Sequence, residues 1–553
     1  MTSPTGSPTG SAFVLLGGTV FTADRDRTTA DAVAVSGNRI VAVGSARDVT
    51  ARLPDAPTVE LDGRTVLPGL IDAHNHFLAT GETLASLDVR YPGVSSVEAL
   101  VGAVAEEARR APPGTWVVAT GFDHAKYERE PTRWDLDEAT TEHPVFVLHV
   151  SGHQGIANSA ALAERGITDA TPDPDGGHLV RDERGRPTGL CVETALGLLQ
   201  PVELEIGHHG PNFHASRPLG ELVDAVDRAG RAFLAAGITT VCDAQVTRRE
   251  LVAYQEARRL GRLAVRTVCM PLSHQLAELE TVGLRSGFGD DHLRLGAVKF
   301  YADGSLIGGT AAFSEPFGRS GEFVGSMYWE PDAFTDAVVR AHRAGWQVGV
   351  HAQGDRAIEL ALDSFAAALA ARPEADPRFR IEHAGYPTAE QVVRMAELGV
   401  ITVNQPSYLV DSGDEFVVRL GPRANRLQPL RDELDAGVRM VLSSDSDVAS
   451  YRPMDTISAA VRRRTASGSP IGADQALTIE EALLAHTIEA AVALGMEHRI
   501  GSIEPGKLAD LTVLDGDLFT TADDALAELP TWMTVLDGVV VHGPQPQGTL
   551  ETQ

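Results

Sequence analysis

The sequence predicts an α/β fold: a (β/α)8 TIM barrel, a small composite β-sandwich domain from both chain ends, and an insert after the first barrel strand. Three observations lead to this prediction. Short apolar runs alternate with helical patterns through most of the chain, the two ends share a short-strand pattern, and one long segment breaks the alternation. At 553 residues, the chain has room for a barrel of about 250 residues and two accessory units.

The two ends of the chain carry the pattern of short strands joined by tight turns. Residues 32–35 and 40–43 are Val- and Ala-rich and flank the turn residues 36–39, which indicates a hairpin. Residues 509–514 and 532–541 repeat this character near the other end. We therefore expect a composite β-sandwich domain over residues 13–67 and 501–545, preceded by a disordered tail over residues 1–12.

Eight apolar runs supply the predicted barrel strands, which is the number that a closed barrel requires. Helical patterns such as 221–236, 331–344 and 355–371 separate most of the runs. The barrel is expected over residues 68–90 and 217–500. The runs cover residues 66–74, 238–243, 265–270, 297–303, 347–351, 379–383, 400–405 and 439–445.

The alternation stops between residues 91 and 216, a segment too long for one connection between a strand and a helix. It contains stretches rich in Gly, Pro and His, such as residues 207–211. We assign residues 91–216 to an inserted subdomain between the first and second barrel strands. This subdomain is expected to cover the active site.

Composition limits the choice of partner. Lys and Arg number 47 against 76 Asp and Glu, a formal charge of −29, which argues against nucleic acid or an anionic membrane as a partner. No apolar run approaches the roughly 18 residues of a membrane span. The three cysteines are widely spaced, so no disulfide framework is expected and a cytoplasmic location fits. A small-molecule substrate is expected, and a homo-oligomer is left open.

Polar residues at the ends of the predicted strands indicate a metal site. His74 and His76 alternate along the first strand and therefore point to the same face. His351, His383 and Asp445 each end a different strand, and Lys299 lies near the end of the fourth. Barrels of this type place their active sites at the carboxyl ends of the strands. Because zinc favours His nitrogen and carboxylate oxygen, this set points to a catalytic metal centre.

Several of these segments resemble those of the amidohydrolase superfamily, in its family 3 branch. Residues 67–76, Leu-Pro-Gly-Leu-Ile-Asp-Ala-His-Asn-His, resemble the first-strand motif of that superfamily. The resemblance extends over nearly the whole chain. Its further motifs are residues 298–305, 350–355, 380–384 and 504–510.

The resemblance implies two divalent metal ions, with zinc expected. His74, His76 and Asp445 would hold the buried ion, and His351 and His383 the more exposed one. Lys299 would bridge the two ions as a carbamate formed with CO₂ (N6-carboxylysine), because an ammonium group cannot bind a cation. The alternative for Lys299 is an ordinary lysine in an ion pair.

The resemblance also implies a mechanism and a reaction class. A hydroxide bridging two ions about 3.5–4 Å apart would be the nucleophile. Asp445 would be the catalytic residue that takes its proton and passes it to the leaving amine. The expected reaction is hydrolysis of a non-peptide C–N bond, in an amide or an N-substituted formamide.

Three further residues are candidates for substrate binding. His153 lies in residues 150–162, which also resemble a family 3 motif, although a structural role is equally open. Tyr301 and Asp303 lie close to the proposed bridging lysine. The chain departs from its relatives at residues 443–447, Ser-Ser-Asp-Ser-Asp, where an extra carboxylate would disfavour anionic substrates. It also lacks the arginine that some relatives carry after the segment 304–305.

The sequence leaves two other functions open. A deaminase or aminohydrolase of a cyclic amidine would use one metal ion and no bridging lysine, so metal stoichiometry distinguishes it. A non-enzymatic barrel relative would typically have lost ligands, whereas all six candidate positions are occupied here.

Overall fold

A computed structural model of the chain describes residues 12–150, 152–174, 177–199, 206–212, 214, 216–318 and 324–546. The predicted tail over residues 1–12 therefore lies outside the described residues, apart from Ala12. In the described part of the chain, no helix combines the length and apolar character needed to span a bilayer.

Strands occur along the whole of the described chain, in the following order. They are β1 (Phe13–Phe21), β2 (Thr29–Ser36), β3 (Arg39–Gly44), β4 (Thr58–Glu60), β5 (Thr65–Pro68), β6 (Leu70–Asn75), β7 (Leu87–Asp88), β8 (Val117–Phe122), β9 (Val145–His149), β10 (Gln154–Ala157), β11 (Gly177–Arg181), β12 (Pro187–Glu193), β13 (Ile238–Val246), β14 (Arg266–Pro271), β15 (Leu293–Leu295), β16 (Val298–Tyr301), β17 (Val348–Ala352), β18 (Arg380–His383), β19 (Ile401–Asn404), β20 (Arg439–Leu442), β21 (Leu511–Leu514), β22 (Thr531–Leu536) and β23 (Val539–His542).

Helices separate most of these strands. They are α1 (Ala46–Arg52), α2 (Phe77–Thr83), α3 (Val97–Arg110), α4 (Arg133–Ala139), α5 (Ser159–Glu164), α6 (Leu196–Leu199), α7 (Leu219–Ala235), α8 (Arg248–Arg259), α9 (Leu276–Thr281), α10 (Pro331–Arg343), α11 (Asp355–Ala371), α12 (Ala389–Glu397), α13 (Ser407–Asp411), α14 (Gly413–Leu420), α15 (Leu430–Asp435), α16 (Pro453–Arg462), α17 (Ile479–Ala485) and α18 (Ile488–Ala493).

Two parallel sheets form the centre of the fold. One has the strand order β15-β14-β13-β6, and the other runs from β16 to β20 in chain order. Leu272, after β14, pairs in parallel with Lys299 of β16. At the opposite edges, the amide of Asp445 donates to the carbonyl of His74 at 2.9 Å. These contacts bring the two sheets together in a TIM-barrel-like α/β fold.

Each predicted barrel run contains or overlaps an observed parallel strand. The first run is divided, because β5 pairs with the terminal strands and β6 with β13. Gly69 separates them where a Cβ atom would overlap the Thr239 hydroxyl, so the chain needs glycine there. The first barrel strand therefore begins at Leu70, later than the predicted boundary at residue 68.

The helices cover the outside of the parallel strands with apolar stripes. In α7, Leu222, Val226 and Phe233 recur at helical spacing and are buried against the strands. Burying each such side chain contributes roughly 1.5–3 kcal/mol. The helices predicted from this periodicity are confirmed as α7, α10 and α11, and α11 has the predicted bounds.

Strands from both chain ends form one mixed sheet in the order β23-β22-β21-β5-β1-β2-β3, with β4 also paired to β1. The predicted hairpin is present, with Ser36 opposite Arg39. The composite domain is thus confirmed, and its strands are hydrogen-bonded in one continuous sheet. The reason is β1, which pairs with β4 near its start and with β5 near its end.

The segment after α2 forms a separate sheet in the order β11-β12-β10-β9-β8-β7. It begins with β7 at Leu87, slightly before the predicted start of the insert at residue 91. The connection between β12 and α7 lies partly outside the described residues. The insert places the end of β9 and His153 against the cavity that contains the candidate site.

Candidate metal centre

His74, His76 and Asp445 lie together at the carboxyl ends of β6 and β20. The Nε2 atoms of His74 and His76 lie 3.3 Å and 3.1 Å from Oδ1 of Asp445. All three residues are buried. With zinc–ligand distances of about 2.0–2.1 Å, ligand atoms around one tetrahedral ion are about 3.4 Å apart. The three atoms therefore have the spacing of ligands to a common metal ion.

A buried carboxylate orients His74. Nδ1 of His74 donates to Oε2 of Glu382 at 2.6 Å, which leaves the lone pair on Nε2. Arg380 donates two hydrogen bonds to the Glu382 carboxylate, at 2.7 Å and 2.9 Å, and also donates to the carbonyl of Ala73. Burial alone would raise the pKa of Glu382, but Arg380 and His74 hold it well below its usual value. Glu382 is therefore ionised.

A second group of hydrogen bonds positions Asp445. Asp72 accepts from the amide and the hydroxyl of Ser444, at 3.0 Å and 2.5 Å. The amide of His76 donates to the carbonyl of Ser446 at 2.5 Å, and the Tyr408 hydroxyl donates to Oδ2 of Asp445. These bonds fasten the loop after β20 to the end of β6.

The backbone is strained at two of the candidate ligands. Asp445 has φ +52° and His383 has φ +78°, in the left-handed region that residues other than glycine rarely adopt. Each such residue costs about 1–3 kcal/mol and persists only where its surroundings hold it. Strain of this kind concentrates at functional sites, which agrees with the placement of both residues.

The remaining candidate ligands adjoin the first three. The ring of His383 lies 4.8 Å from that of His74 and 4.5 Å from that of His351. Nδ1 of His383 donates to Gln405 at 2.8 Å, and Nε2 of His351 donates to the carbonyl of Gly304 at 2.9 Å. Burial lowers the pKa of His383 to about 3 and that of His351 well below its usual value. Both imidazoles are therefore neutral, with one nitrogen lone pair each.

Lys299 is buried on β16 beside this group. Its register partner on β17 is Gly349, and its Nζ lies 4.8 Å from the centre of the Tyr301 ring. Among the described residues, Nζ has no hydrogen-bond partner. Burial lowers the pKa of Lys299 to about 8. An ordinary lysine in an ion pair would show a carboxylate at contact distance, and none is found there among the described residues.

A cavity of about 410 Å³ opens onto the candidate ligands. His153 and Tyr301 line it, as do His76 and Asp445. Nδ1 of His153 donates to Glu193 at 3.0 Å, and the Tyr301 hydroxyl donates to Gln245 at 2.7 Å. Burial would lower the pKa of His153, but the Glu193 carboxylate raises it overall.

Asp303 is bonded to backbone amides of two loops. Its two carboxylate oxygens accept the backbone N–H groups of Ala312, Gln353 and Gly354 at 2.8–3.0 Å. Of the described residues, those that line the cavity do not include Asp303. These bonds brace the loop after β16, and Oδ1 of Asp303 also lies 3.6 Å from Nε2 of His351.

Sequence reasoning assigned no role to Arg380, Glu382, Gln405 or Tyr408. Arg380 and Glu382 had a detectable signal, since two charged residues at alternate positions of an apolar strand must share one buried face and need a partner. Tyr408 had none, because its contact with Asp445 joins helix α13 to a distant loop.

Comparisons with known proteins show the family of the chain. The sequence profile of the amidohydrolase family matches residues 57–542. The chain is 34% identical to the N-substituted formamide deformylase of Arthrobacter pascens, over 95% of this chain and 97% of the relative. It is 31% identical to the protein LONG AFTER FAR-RED 3 of Arabidopsis thaliana, over 90% and 86% of the two chains.

A solved structure supports the same conclusion. An uncharacterised metal-dependent hydrolase from Pyrococcus horikoshii superimposes with a TM-score of 0.76 and 26% identity, covering 93% of this chain and 99% of that one. The fold, the buried His and Asp group and these relatives define a metal-dependent hydrolase that acts on carbon–nitrogen bonds of small molecules. The chain belongs to the amidohydrolase family.

Proposed function

We propose that the protein hydrolyses an amide or an N-substituted formamide at a two-metal centre, releasing an amine and an acid. The relative from Arthrobacter pascens, an N-substituted formamide deformylase, supports this substrate class. The proposed ligands are His74, His76, Lys299, His351, His383 and Asp445.

One observation carries the proposal. Nε2 of His74 and Nζ of Lys299 are buried polar atoms without a hydrogen-bond partner among the described residues, and Oδ1 of Asp445 lies 3.3 Å from Nε2 of His74. Such atoms are costly unless a ligand satisfies them. Their grouping at one end of the parallel strands fits divalent cations, with zinc expected from the nitrogen and oxygen donors.

When bound, the two ions would lower the pKa of a water molecule and polarise the scissile carbonyl. Lys299 would contribute as its carbamate, because only that form offers oxygen donors. Asp445, which lines the cavity, would take the proton of the attacking water and pass it to the leaving nitrogen. The Tyr408 hydroxyl holds Oδ2 of Asp445 during this exchange.

His153 and Tyr301 are proposed to bind the substrate. His153, held by Glu193, would donate a hydrogen bond to a carbonyl oxygen in the cavity. The Tyr301 hydroxyl is engaged by Gln245, so its ring rather than its oxygen is expected to contact the substrate.

The one-metal deaminase remains the alternative, since His74, His76 and Asp445 alone form a compact three-ligand group. Lys299→Ala separates the two functions. In the proposed enzyme it removes metal and activity, whereas a one-metal deaminase keeps one ion and its rate.

The main test uses the full-length protein, stripped of metal by a chelator and reloaded with zinc. We expect turnover of N-substituted formamides or simple amides, followed as release of the amine, and none in His74→Ala. Full activity in the metal-free protein or in His74→Ala would contradict the proposal, as would turnover of cyclic amidines only.

A further inference from the structure

We propose that Asp123, His124 and His149 form a separate site for a divalent ion of the zinc class, in the insert and at the wall of the active-site cavity. None of the three belongs to the parallel strands that carry the candidate catalytic ligands. The proposal does not depend on the function proposed above.

The topology of the insert brings these residues together. Strands β8 and β9 are parallel neighbours, and Phe122 at the end of β8 is the register partner of His149 at the end of β9. Asp123 and His124 follow β8 directly. Residues that follow adjacent parallel strands meet at one edge of the sheet, as the catalytic ligands do in the barrel.

The distances within the cluster suit ligands of one ion. Nε2 of His149 lies 3.6 Å from Oδ1 of Asp123, beyond the 2.7–3.2 Å of ordinary N–H···O bonds. It is close to the separation of about 3.4 Å expected around a tetrahedral zinc ion. The rings of His124 and His149 lie 5.1 Å apart, and one donor atom from each residue falls within 4.8 Å of the others.

Unsatisfied polar atoms at the cluster point to a missing ligand. Nδ1 of His124 is buried without a hydrogen-bond partner among the described residues, and so is the hydroxyl of nearby Tyr127. A plain ion pair between Asp123 and His149 would leave Nδ1 of His124 unsatisfied, whereas an ion bound through Nδ1 would satisfy it.

The ligand types and the hydrogen bond that orients Asp123 also fit a zinc site. Two imidazoles and one carboxylate are a donor set that zinc uses when it keeps a further position open. Oδ1 of Asp123 accepts the amide of Ala125 at 3.0 Å, which fixes the direction of the carboxylate. Because His149 lines the cavity, an ion held there lies at the cavity wall.

The experiment measures metal content in a background that has lost the barrel ions. The parent is the full-length triple variant His74→Ala/His383→Ala/Asp445→Ala, which removes proposed ligands of both barrel ions, stripped with a chelator and titrated with Co²⁺ or Zn²⁺. We expect it to bind an ion that produces visible Co²⁺ absorption. Adding His124→Ala or Asp123→Asn is expected to weaken that binding roughly ten-fold or more, since even changes outside the ligand shell cost 10- to 100-fold.

The matched control is His498→Ala, because the His498 side chain is 92% exposed and lies outside the cluster. Circular dichroism shows whether His124→Ala folds. If it does not, Asp123→Asn tests the site, because its side chain keeps an oxygen acceptor for the Ala125 amide. Unchanged metal content and Co²⁺ affinity in Asp123→Asn would overturn the proposal. A parent that binds no ion would also overturn it.

Discussion

Nδ1 of His74 donates to the Glu382 carboxylate at 2.6 Å, and Arg380 holds the same carboxylate from the other side. The chain Arg380–Glu382–His74 thereby fixes which nitrogen of His74 faces the candidate metal position. It is formed by residues of β18 and β6, strands that lie far apart in the sequence and in different sheets.

We predict that Glu382→Gln weakens metal binding, because the neutral amide no longer fixes the His74 proton on Nδ1. Loss of a residue that orients a ligand typically costs about 10- to 100-fold in metal affinity. The variant also leaves Arg380 buried without a countercharge, which destabilises the fold by on the order of 3–5 kcal/mol. Competition with a metal chelator and chemical denaturation measure the two effects. Unchanged affinity for zinc would contradict the proposed role of Glu382.

We predict that Tyr408→Phe lowers kcat more than it changes KM, because the Tyr408 hydroxyl is bonded to Asp445 and positions its carboxylate. A reduction of roughly ten-fold or more is expected for a group that orients the proton-transferring residue. The matched control is Tyr386→Phe, since the Tyr386 hydroxyl contacts Arg426 instead. If Tyr408→Phe keeps the parental kcat and pH profile, the hydroxyl has no positioning role.

We predict that Asp447→Asn improves the use of anionic substrates. Asp447 lines the cavity, and the Thr83 hydroxyl donates to it at 2.7 Å, which an amide oxygen can also accept. Removing one negative charge near the substrate is worth about 1 kcal/mol, or roughly five-fold in KM. Paired kinetics with a carboxylated amide and its neutral analogue test this. An equal change for both substrates would show that the Asp447 charge does not select between them.

We predict that Glu433→Gln is stabilising at alkaline pH. Burial raises the pKa of Glu433 from 4.5 to about 7, so the folded protein retains a proton that the unfolded chain has released. The contribution of Glu433 to stability is therefore full below about pH 4.5 and is lost as the pH rises through 7. The glutamine side chain of the variant stays neutral and keeps an acceptor for the Thr402 hydroxyl, which donates to Glu433 at 2.6 Å in the parent.

The measurement is urea denaturation of the parent and Glu433→Gln from pH 5 to 8. The free energy of unfolding of the variant, relative to that of the parent, should increase by on the order of 1–3 kcal/mol as the pH rises. Glu480→Gln is the control, since the Glu480 side chain is 44% exposed. A difference between parent and Glu433→Gln that is independent of pH would refute the prediction.

The sequence by itself determined the order and type of the elements. Apolar runs with helical segments between them predicted the parallel strands, because strand and helix periodicities are local properties of the chain. The pairing of His74 and His76 as metal ligands was predicted for the same reason, because alternate residues of a strand point to the same face whatever surrounds the strand. The terminal hairpin followed from its turn residues.

Only the tertiary structure decided which distant groups meet. The contact of Tyr408 with Asp445, the braced position of Asp303 and the meeting of Asp123 with His149 each join segments that share no sequence pattern. The single terminal sheet was likewise decided by the pairing of β1 with two partners. Hydrogen bonds and ion pairs between remote residues depend on three-dimensional packing, whereas periodicity depends only on neighbours along the chain.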